Sequence, residues 1–446
     1  MIKKNISFLL LILLHILLGL LLLWFPFLSI GYTYLTFITC LIYILKNQNK
    51  NNVALIACAY IVGSEVLIRM TKGILFYEFA KYELILFSVI GMLYHSFSKK
   101  SISYWIFILL LIPGILLATE TLNSTTDIRK TIAFNISGPV SLAIATIYTY
   151  NRKVPFSIFN KALLFLGLPI ISCAVYVTFY TEKISDVLKN TGSNSDLSGG
   201  FGPNQVATIF GLGMFIFFSK IIVDGKNKLT ILVYSLVSVF IAYRGLITFS
   251  RGGMLTGFLM VLIFIATVFW NSQGQNRLKM VFLTGLFFVL ASGVWMYSSL
   301  QTGGLINKRY ANEDALGRKK SDTFTGREEL AKSEMTMFLE NPIFGVGVAK
   351  GAEIREELYG EHMASHDEIT RMLAEHGAFG IAALLILILT PLLYSIQNPN
   401  QLYLLSFFIF WLLTINHAAM RTAAPSFIYA LALLKIDFNE EDPVHR

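Results

Sequence analysis

The chain has 446 residues, of which 55% are hydrophobic and 14% charged, with a formal net charge of +9. A soluble chain carries about 25% Asp, Glu, Lys and Arg, so an ordinary soluble protein is excluded. The charge is also uneven, since 24 of the 36 basic and 27 acidic residues lie between Leu300 and His376. Elsewhere, apolar runs of about 18 to 20 residues, each long enough to cross a hydrocarbon core of about 30 Å as a helix, alternate with short polar spacers. This pattern defines an all-α polytopic membrane protein.

In chain order, Lys3 and Lys4 precede an apolar run to Trp24 that is too long for the core of a signal peptide and has no small-residue cleavage site, so it reads as the first membrane helix. Further runs lie near residues 28–45, 53–70, 79–97, 103–119, 131–149 and 159–181. After a polar segment come 205–223, 229–249, 252–270 and 278–299, and after the long loop 377–396, 401–416 and 422–436. Allowing for re-entrant or merged members, these runs predict a bundle of about 12–14 transmembrane helices. Four parts follow: helices over 1–181, helices carrying the Arg251 motif over 182–299, one large loop over 300–376 with two short helices, and C-terminal helices with a tail over 377–446.

With the N-terminus inside, the inner spacers hold 16 Lys or Arg and the short outer spacers eight, leaving aside Arg244, Arg251 and the long loop. Cytoplasmic loops carry the excess of basic residues, so residues 182–204, the 249–252 junction and the 300–376 loop are expected to face outward. The same distribution argues against nucleic acid, which needs a clustered basic face. The densest polar segment instead holds 14 acidic against 10 basic residues. Cys40, Cys58 and Cys173 sit in apolar runs without CxxC spacing or a nearby His, so neither a disulfide framework nor a metal site is expected.

Within the long loop, Thr325-Gly326-Arg327-Glu328 has capping-box spacing and predicts a helix to about Glu340, stopped by Asn341-Pro342. Leu330, Met337 and Phe338 would lie on one face, toward the membrane or the bundle. Ser365-His366-Asp367-Glu368 repeats the spacing and predicts a second helix to about His376. Asn341-Pro342-Ile343-Phe344-Gly345-Val346-Gly347 is Gly-rich but lacks the spacing of a phosphate loop and follows no strand.

Arg251 lies in Thr248-Phe249-Ser250-Arg251-Gly252-Gly253, wedged between two apolar runs. A guanidinium at such depth is costly and has an anionic partner or faces a wet cavity. Its fork of donors suits phosphate oxygens, and the glycines after it would let a ligand approach the backbone. A snorkelling arginine at a helix end is the alternative. Arg244, two helical turns earlier, either extends this basic patch or forms an internal ion pair. Arg327 falls in the first turn of the predicted loop helix, where helix-end amides favour an anion, though a surface arginine paired with Glu328 or Glu334 explains it equally. His366, beside Asp367, could accept a proton from a hydroxyl or simply be solvated. Arg371, four residues after Asp367 and four before Glu375, fits a charge ladder on one helix face.

Taken together, Gly199-Gly200-Phe201-Gly202-Pro203-Asn204-Gln205, Ser250-Arg251-Gly252-Gly253, Gly326-Arg327, the 341–347 turn, Ser365-His366-Asp367 and Glu375-His376-Gly377 resemble, in order and spacing over residues 195 to 390, the O-antigen ligase and O-antigen polymerase superfamily. Asp367 departs from the resemblance, since many relatives have Asn there. The resemblance implies a GT-C-like helical fold in the bacterial inner membrane with its active site toward the periplasm. It implies a metal-independent, inverting glycosyltransferase without cofactor. Such an enzyme moves a glycan from undecaprenyl pyrophosphate to an acceptor sugar hydroxyl, that of the lipid A core for a ligase. By the same resemblance Arg251 and Arg327 hold the pyrophosphate and His366 serves as base; Arg244, Asn204, Asp367 and Arg371, beside these motifs in the sequence, are the substrate-binding candidates. A repeat-unit polymerase or a protein glycosylase would use the same chemistry. A secondary transporter of small anions is the reading from another class, but no internal repeat is evident and the polar motifs cluster on one side. A structural scaffold would leave Arg251 unexplained.

Overall fold

A computed structural model of the chain describes all residues except 1, 182, 189, 226, 321–326, 361, 362, 364, 418, 419 and 438–446. The helices are α1 (Ile2–Trp24), α2 (Leu28–Asn47), α3 (Val53–Met70), α4 (Phe79–His95), α5 (Ile102–Thr121), α6 (Ile128–Thr149), α7 (Phe156–Tyr180), α8 (Ile184–Val187) and α9 (Pro203–Val223). They continue with α10 (Lys228–Ile247), α11 (Arg251–Asn271), α12 (Gln275–Gln301), α13 (Leu305–Tyr310), α14 (Arg327–Glu340), α15 (Lys350–Tyr359), α16 (Glu368–Gln397), α17 (Leu404–Ile415) and α18 (Ala423–Ala432). Ten helices among the described residues are long and apolar enough to cross a membrane, so the chain is an all-α polytopic membrane protein.

Local sequence sets several helix starts. Asp127 accepts from the Lys130 amide at α6 and Asn227 from the Thr230 amide at α10, each satisfying an orphan donor of the first turn. Pro203 occupies the first turn of α9, where its missing N–H costs nothing. The last two predicted spans are shorter than expected. At 1.5 Å per residue α17 and α18 reach about 18 and 15 Å, less than a hydrocarbon core of about 30 Å. Every residue of α18 is buried, so protein rather than lipid surrounds it, and short or interrupted elements are tolerated in that setting. The Tyr429 hydroxyl of α18 bonds to that of Tyr104 on α5 at 2.9 Å, and its ring meets Trp411 of α17 edge-on.

Contacts between spacers sort the helix ends into two groups. At one end, β1 (Lys153–Pro155) pairs in parallel with β2 (Lys435–Asp437), and Arg152 reaches the Ser96 carbonyl. At the other, Asn123 and Thr126 bond to Glu353, Arg251 to the Arg309 carbonyl and Arg421 to the Ser365 carbonyl. The second group contains the ends of α5, α10 and α12, the loop and the α17–α18 turn.

In the loop, α14 runs from Arg327 to Glu340 and stops at Asn341-Pro342 as the spacing predicts; Thr325 and Gly326 of its expected capping box lie outside the described residues. Its inner face seats Met337 against Val346, Ala374 and Ile354. The second expected box takes a different form. Asp367, not Ser365, caps the helix, accepting from the Ile369 amide at 2.9 Å, and Glu368 turns to Arg371. The helix is broken next to His376 as expected: at Gly377 (φ +58°) the backbone leaves the helical region, and beyond this kink the chain continues as the membrane span. The 341–347 turn braces that kink: the Val346 amide donates to the Ala374 carbonyl at 2.8 Å, Gly347 to Glu375 at 3.2 Å and Val348 to Gly114 of α5 at 3.1 Å. Gly345 (φ +72°) has no room for a side chain, since a Cβ would lie 2.5 Å from the Ala374 carbonyl oxygen. The glycines of this turn therefore serve close backbone packing.

Candidate active site

The Arg251 motif is built where α9 and α11 cross. A Cβ on Gly253 would stand 2.3 Å from the Ala207 carbonyl carbon, and one on Gly252 would stand 2.8 Å from the His417 ring. The two glycines thus admit neighbouring helices, where the sequence suggested room for a ligand. Their contact brings the start of α9 to the start of α11: Ser250 donates to Asn204 Oδ1 at 2.8 Å. Between α10 and α11 the backbone turns through Phe249 (φ +57°), whose carbonyl accepts from Arg309 Nε at 2.9 Å. Arg251 Nη1 donates in return to the Arg309 carbonyl at 3.3 Å. Arg251 is half-buried, and among the described residues it has no carboxylate partner. Its remaining donors lie at the first turn of α11, where helix-end amides add positive potential.

Arg244 does not share this face. The break at 248–250 ends α10, and Arg244, 3% exposed, donates from Nη2 to the Val177 carbonyl of α7 at 2.9 Å. The two-turn register drawn from the sequence assumed a continuous helix, and the break removes it.

His366 sits in the turn before α16, half-buried beside the Asp367 cap. Burial raises the Asp367 carboxyl above its ordinary value, against the lowering effect of the Ile369 amide. Arg371 pairs with Glu368, the residue after the cap, and donates to Asn135 Oδ1 at 2.8 Å. Arg327 opens α14, and its side chain lies outside the described set. Glu328 and Glu334, its possible surface partners, are engaged by Lys332 at 2.9 Å and Arg355 at 3.2 Å.

The Arg251 and His366 motifs flank one segment, the end of α17 and the turn into α18. His417, next to Gly252, bonds to Thr208 at 3.2 Å and to the Leu413 carbonyl at 2.8 Å. Four residues on, Arg421 donates to the Ser365 carbonyl at 2.9 Å, and burial lowers its pKa. Below the segment lies a buried pair, Arg69 and Glu65, 2.6 Å apart on α3. Glu65 accepts from the Ala423 amide at 2.7 Å, while Arg69 donates to Gln205 at 3.4 Å and covers the Tyr77 ring. Neither His417, Arg421 nor this pair was singled out from the sequence. A Glu–Arg pair four residues apart inside an apolar run was the available signal.

Beside Arg251 opens an apolar cavity of about 280 Å³ between α9, α10, α11 and α12. Phe218, Ala242, Phe258 and Phe287 line its depth, and Trp295 and Tyr310 line it toward the loop. Met254 and Leu255, one turn after Arg251 on α11, also line it, so the helix that carries the guanidinium forms part of its wall. Among the described residues, no group of three or more His, Cys, Asp or Glu has the arrangement of a metal site.

These features define a polytopic helical membrane protein with cationic and titratable groups gathered at one end of its bundle and a hydrocarbon-lined cavity beneath them. Residues 236–385 match the family model described as O-antigen ligase, a stretch from within α10 to within α16 that holds Arg244, Arg251, Arg327, His366 and Arg371, and this supports the O-antigen ligase and polymerase superfamily. Members of that family are glycosyltransferase-like enzymes that act on lipid-linked glycans. No curated protein matches the chain.

Proposed function

We propose that the protein is an O-antigen ligase-type glycosyltransferase, metal-independent and inverting, that moves a glycan from undecaprenyl pyrophosphate to a sugar hydroxyl of the lipid A core at the periplasmic face of the inner membrane. The observation that carries this reading is Arg251, a half-buried guanidinium without a described carboxylate partner, one turn before the residues of α11 that wall an apolar cavity. A lipid pyrophosphate has the matching halves, an anion for the fork and hydrocarbon for the cavity. At about 280 Å³ the cavity is small for a ligand site, so it would take the first few isoprene units and leave the rest in lipid.

In this reading Arg251, with Arg327, meets the negative charge that grows on the pyrophosphate as the glycosidic bond breaks. The acceptor oxygen attacks the anomeric carbon from the opposite face, the carbon–oxygen bond to pyrophosphate breaks, and His366 takes the hydroxyl proton. Asn204 holds Ser250 at the base of the clamp, and Asp367 and Arg371 fix the first turn of α16. The same residues would serve a polymerase. Supplying purified protein with a lipid-linked donor and either lipid A core or a second lipid-linked repeat decides between them. Transfer to lipid A core is expected; chain extension alone would assign a polymerase, and no transfer to either would end the glycosyltransferase reading.

Two further results are expected. Ala242→Phe, which fills the cavity, should raise KM for the lipid-linked donor about tenfold, equivalent to ~1.4 kcal/mol of binding, and leave KM for the acceptor unchanged. An unchanged donor KM would place the prenyl chain elsewhere. For orientation, Leu316→Cys in a cysteine-free background should react with an impermeant maleimide in intact spheroplasts, while Lys100→Cys should react only after lysis. Leu316 is 77% exposed in the loop, and Lys100 is exposed at the opposite end. The reverse pattern would invert the topology and remove the periplasmic site.

A further inference from the structure

Two buried side chains from the loop helices converge on the turn that carries His366. Glu334 of α14 and Arg355 of α15 are 2% and 3% exposed, and Arg355 Nη1 donates to Glu334 Oε1 at 3.2 Å. Each has a second hold on the chain. Glu334 Oε2 accepts from the Thr370 hydroxyl at 2.5 Å, four residues after His366, and Arg355 Nε donates to the Met363 carbonyl at 3.0 Å, three residues before it. The Ser365 hydroxyl also faces the Glu334 carboxylate, and from the α17–α18 turn Arg421 holds the Ser365 carbonyl. The segment is thus gripped on both sides of His366. An ion pair this deeply buried is a weak source of net stability, because desolvating both ions offsets most of their attraction. What it supplies here is direction, since Arg355 Nε and Glu334 Oε2, outside the contact between the two ions, end on Met363 and Thr370.

We propose that Glu334 and Arg355 are positioning residues for His366: their ion pair brackets the 363–370 segment and fixes where the imidazole stands relative to the acceptor hydroxyl. The proposal rests on the reading of His366 as proton acceptor. A base misplaced by about 1 Å can lose on the order of a hundredfold in rate. Glu334→Gln, which breaks the ion pair, is therefore expected to lower kcat by about a hundredfold with donor KM unchanged. Thr370→Val keeps the pair and its charges, removes only the hydroxyl link, and is expected to lower kcat by about tenfold.

The test uses the full chain in detergent or nanodiscs, with transfer kinetics beside hydrogen–deuterium exchange of the 363–370 amides. Faster exchange in that segment, a fall in kcat at constant KM, and no additional loss when Glu334→Gln is combined with His366→Ala would support the proposal; such non-additivity is expected of residues acting through one another. Should Glu334→Gln fail to fold, Thr370→Val decides alone. Unaltered exchange, unaltered kcat in the variants of an active protein, or a loss that falls on KM would overturn it. A wild-type protein that transfers nothing would instead overturn the functional reading on which it rests, and the two failures are separable because only the second abolishes activity before any substitution.

Discussion

His366→Ala is expected to yield a protein that inserts and folds normally, binds the lipid-linked donor, and transfers glycan about a hundred- to ten-thousandfold more slowly, the usual contribution of a positioned general base. Folding should survive because His366 lies in the turn outside α16, whose first amides are capped by Asp367 and whose packing comes from Met372, Ala374 and Glu375. Function and stability are thus carried by different atoms of the same turn. His376→Ala is the matched control in the opposite sense: that ring is 1% exposed and packs on Gly114 of α5, so its loss should affect stability before chemistry. His362, which lies outside the described residues, is a second control and should be replaceable.

The pH dependence separates His366 from its neighbour. A neutral imidazole accepts the proton, so transfer should fall as pH drops and the ring becomes protonated. If Asp367 were the base, the fall would begin at lower pH, from a carboxylate range that burial moves upward. A profile identical in wild type and His366→Ala, or substantial residual transfer in the variant, would move the base to Asp367 or Glu368. A transporter would show neither transfer nor the dependence.

The membrane bundle was legible because span length and hydropathy are local properties, and α3, α5, α7, α9, α11 and the part of α16 beyond Gly377 follow the predicted runs closely. The helix stop at Asn341-Pro342 was legible for the same reason. What resisted reading depends on contacts between distant segments. Ser365 and Asp367 both have capping chemistry, and only the placement of Glu368 against Arg371 and the Met420 amide decides between them. The glycines at 252 and 253 look like a ligand approach in isolation, and become helix contacts once α9 and His417 are beside them. Arg421, Arg69 and the Glu334–Arg355 pair meet partners from 21 to 358 residues away, or a residue bonded to such a partner. No spacing rule reaches that far.

Arg251→Lys is expected to keep expression and donor binding but to lower transfer by roughly thirty- to a thousandfold, corresponding to about 2 to 4 kcal/mol for one charge-assisted bond in a water-poor site. Lysine preserves the charge at the start of α11 and loses the planar fork. In Arg251 the fork is oriented: Nη1 is tied to the Arg309 carbonyl, Arg309 in turn to the Phe249 carbonyl, and the helix start is held by Ser250 on Asn204. One edge of the guanidinium is thereby fixed, so the other presents its donors in a set direction. A lysine ammonium satisfies either the Arg309 carbonyl or the ligand, with its one point of charge. The loss should appear in kcat more than in KM, because charge on the leaving pyrophosphate is greater in the transition state than in the bound donor. A folded Arg251→Lys protein with near wild-type transfer would reduce Arg251 to an anchor at a helix end. Arg327→Lys then carries the sharper comparison. A surface ion pair of Arg327 with Glu328 or Glu334 would survive the change to lysine and leave transfer unaffected. A loss there equal to that at Arg251 would make it the second half of the clamp.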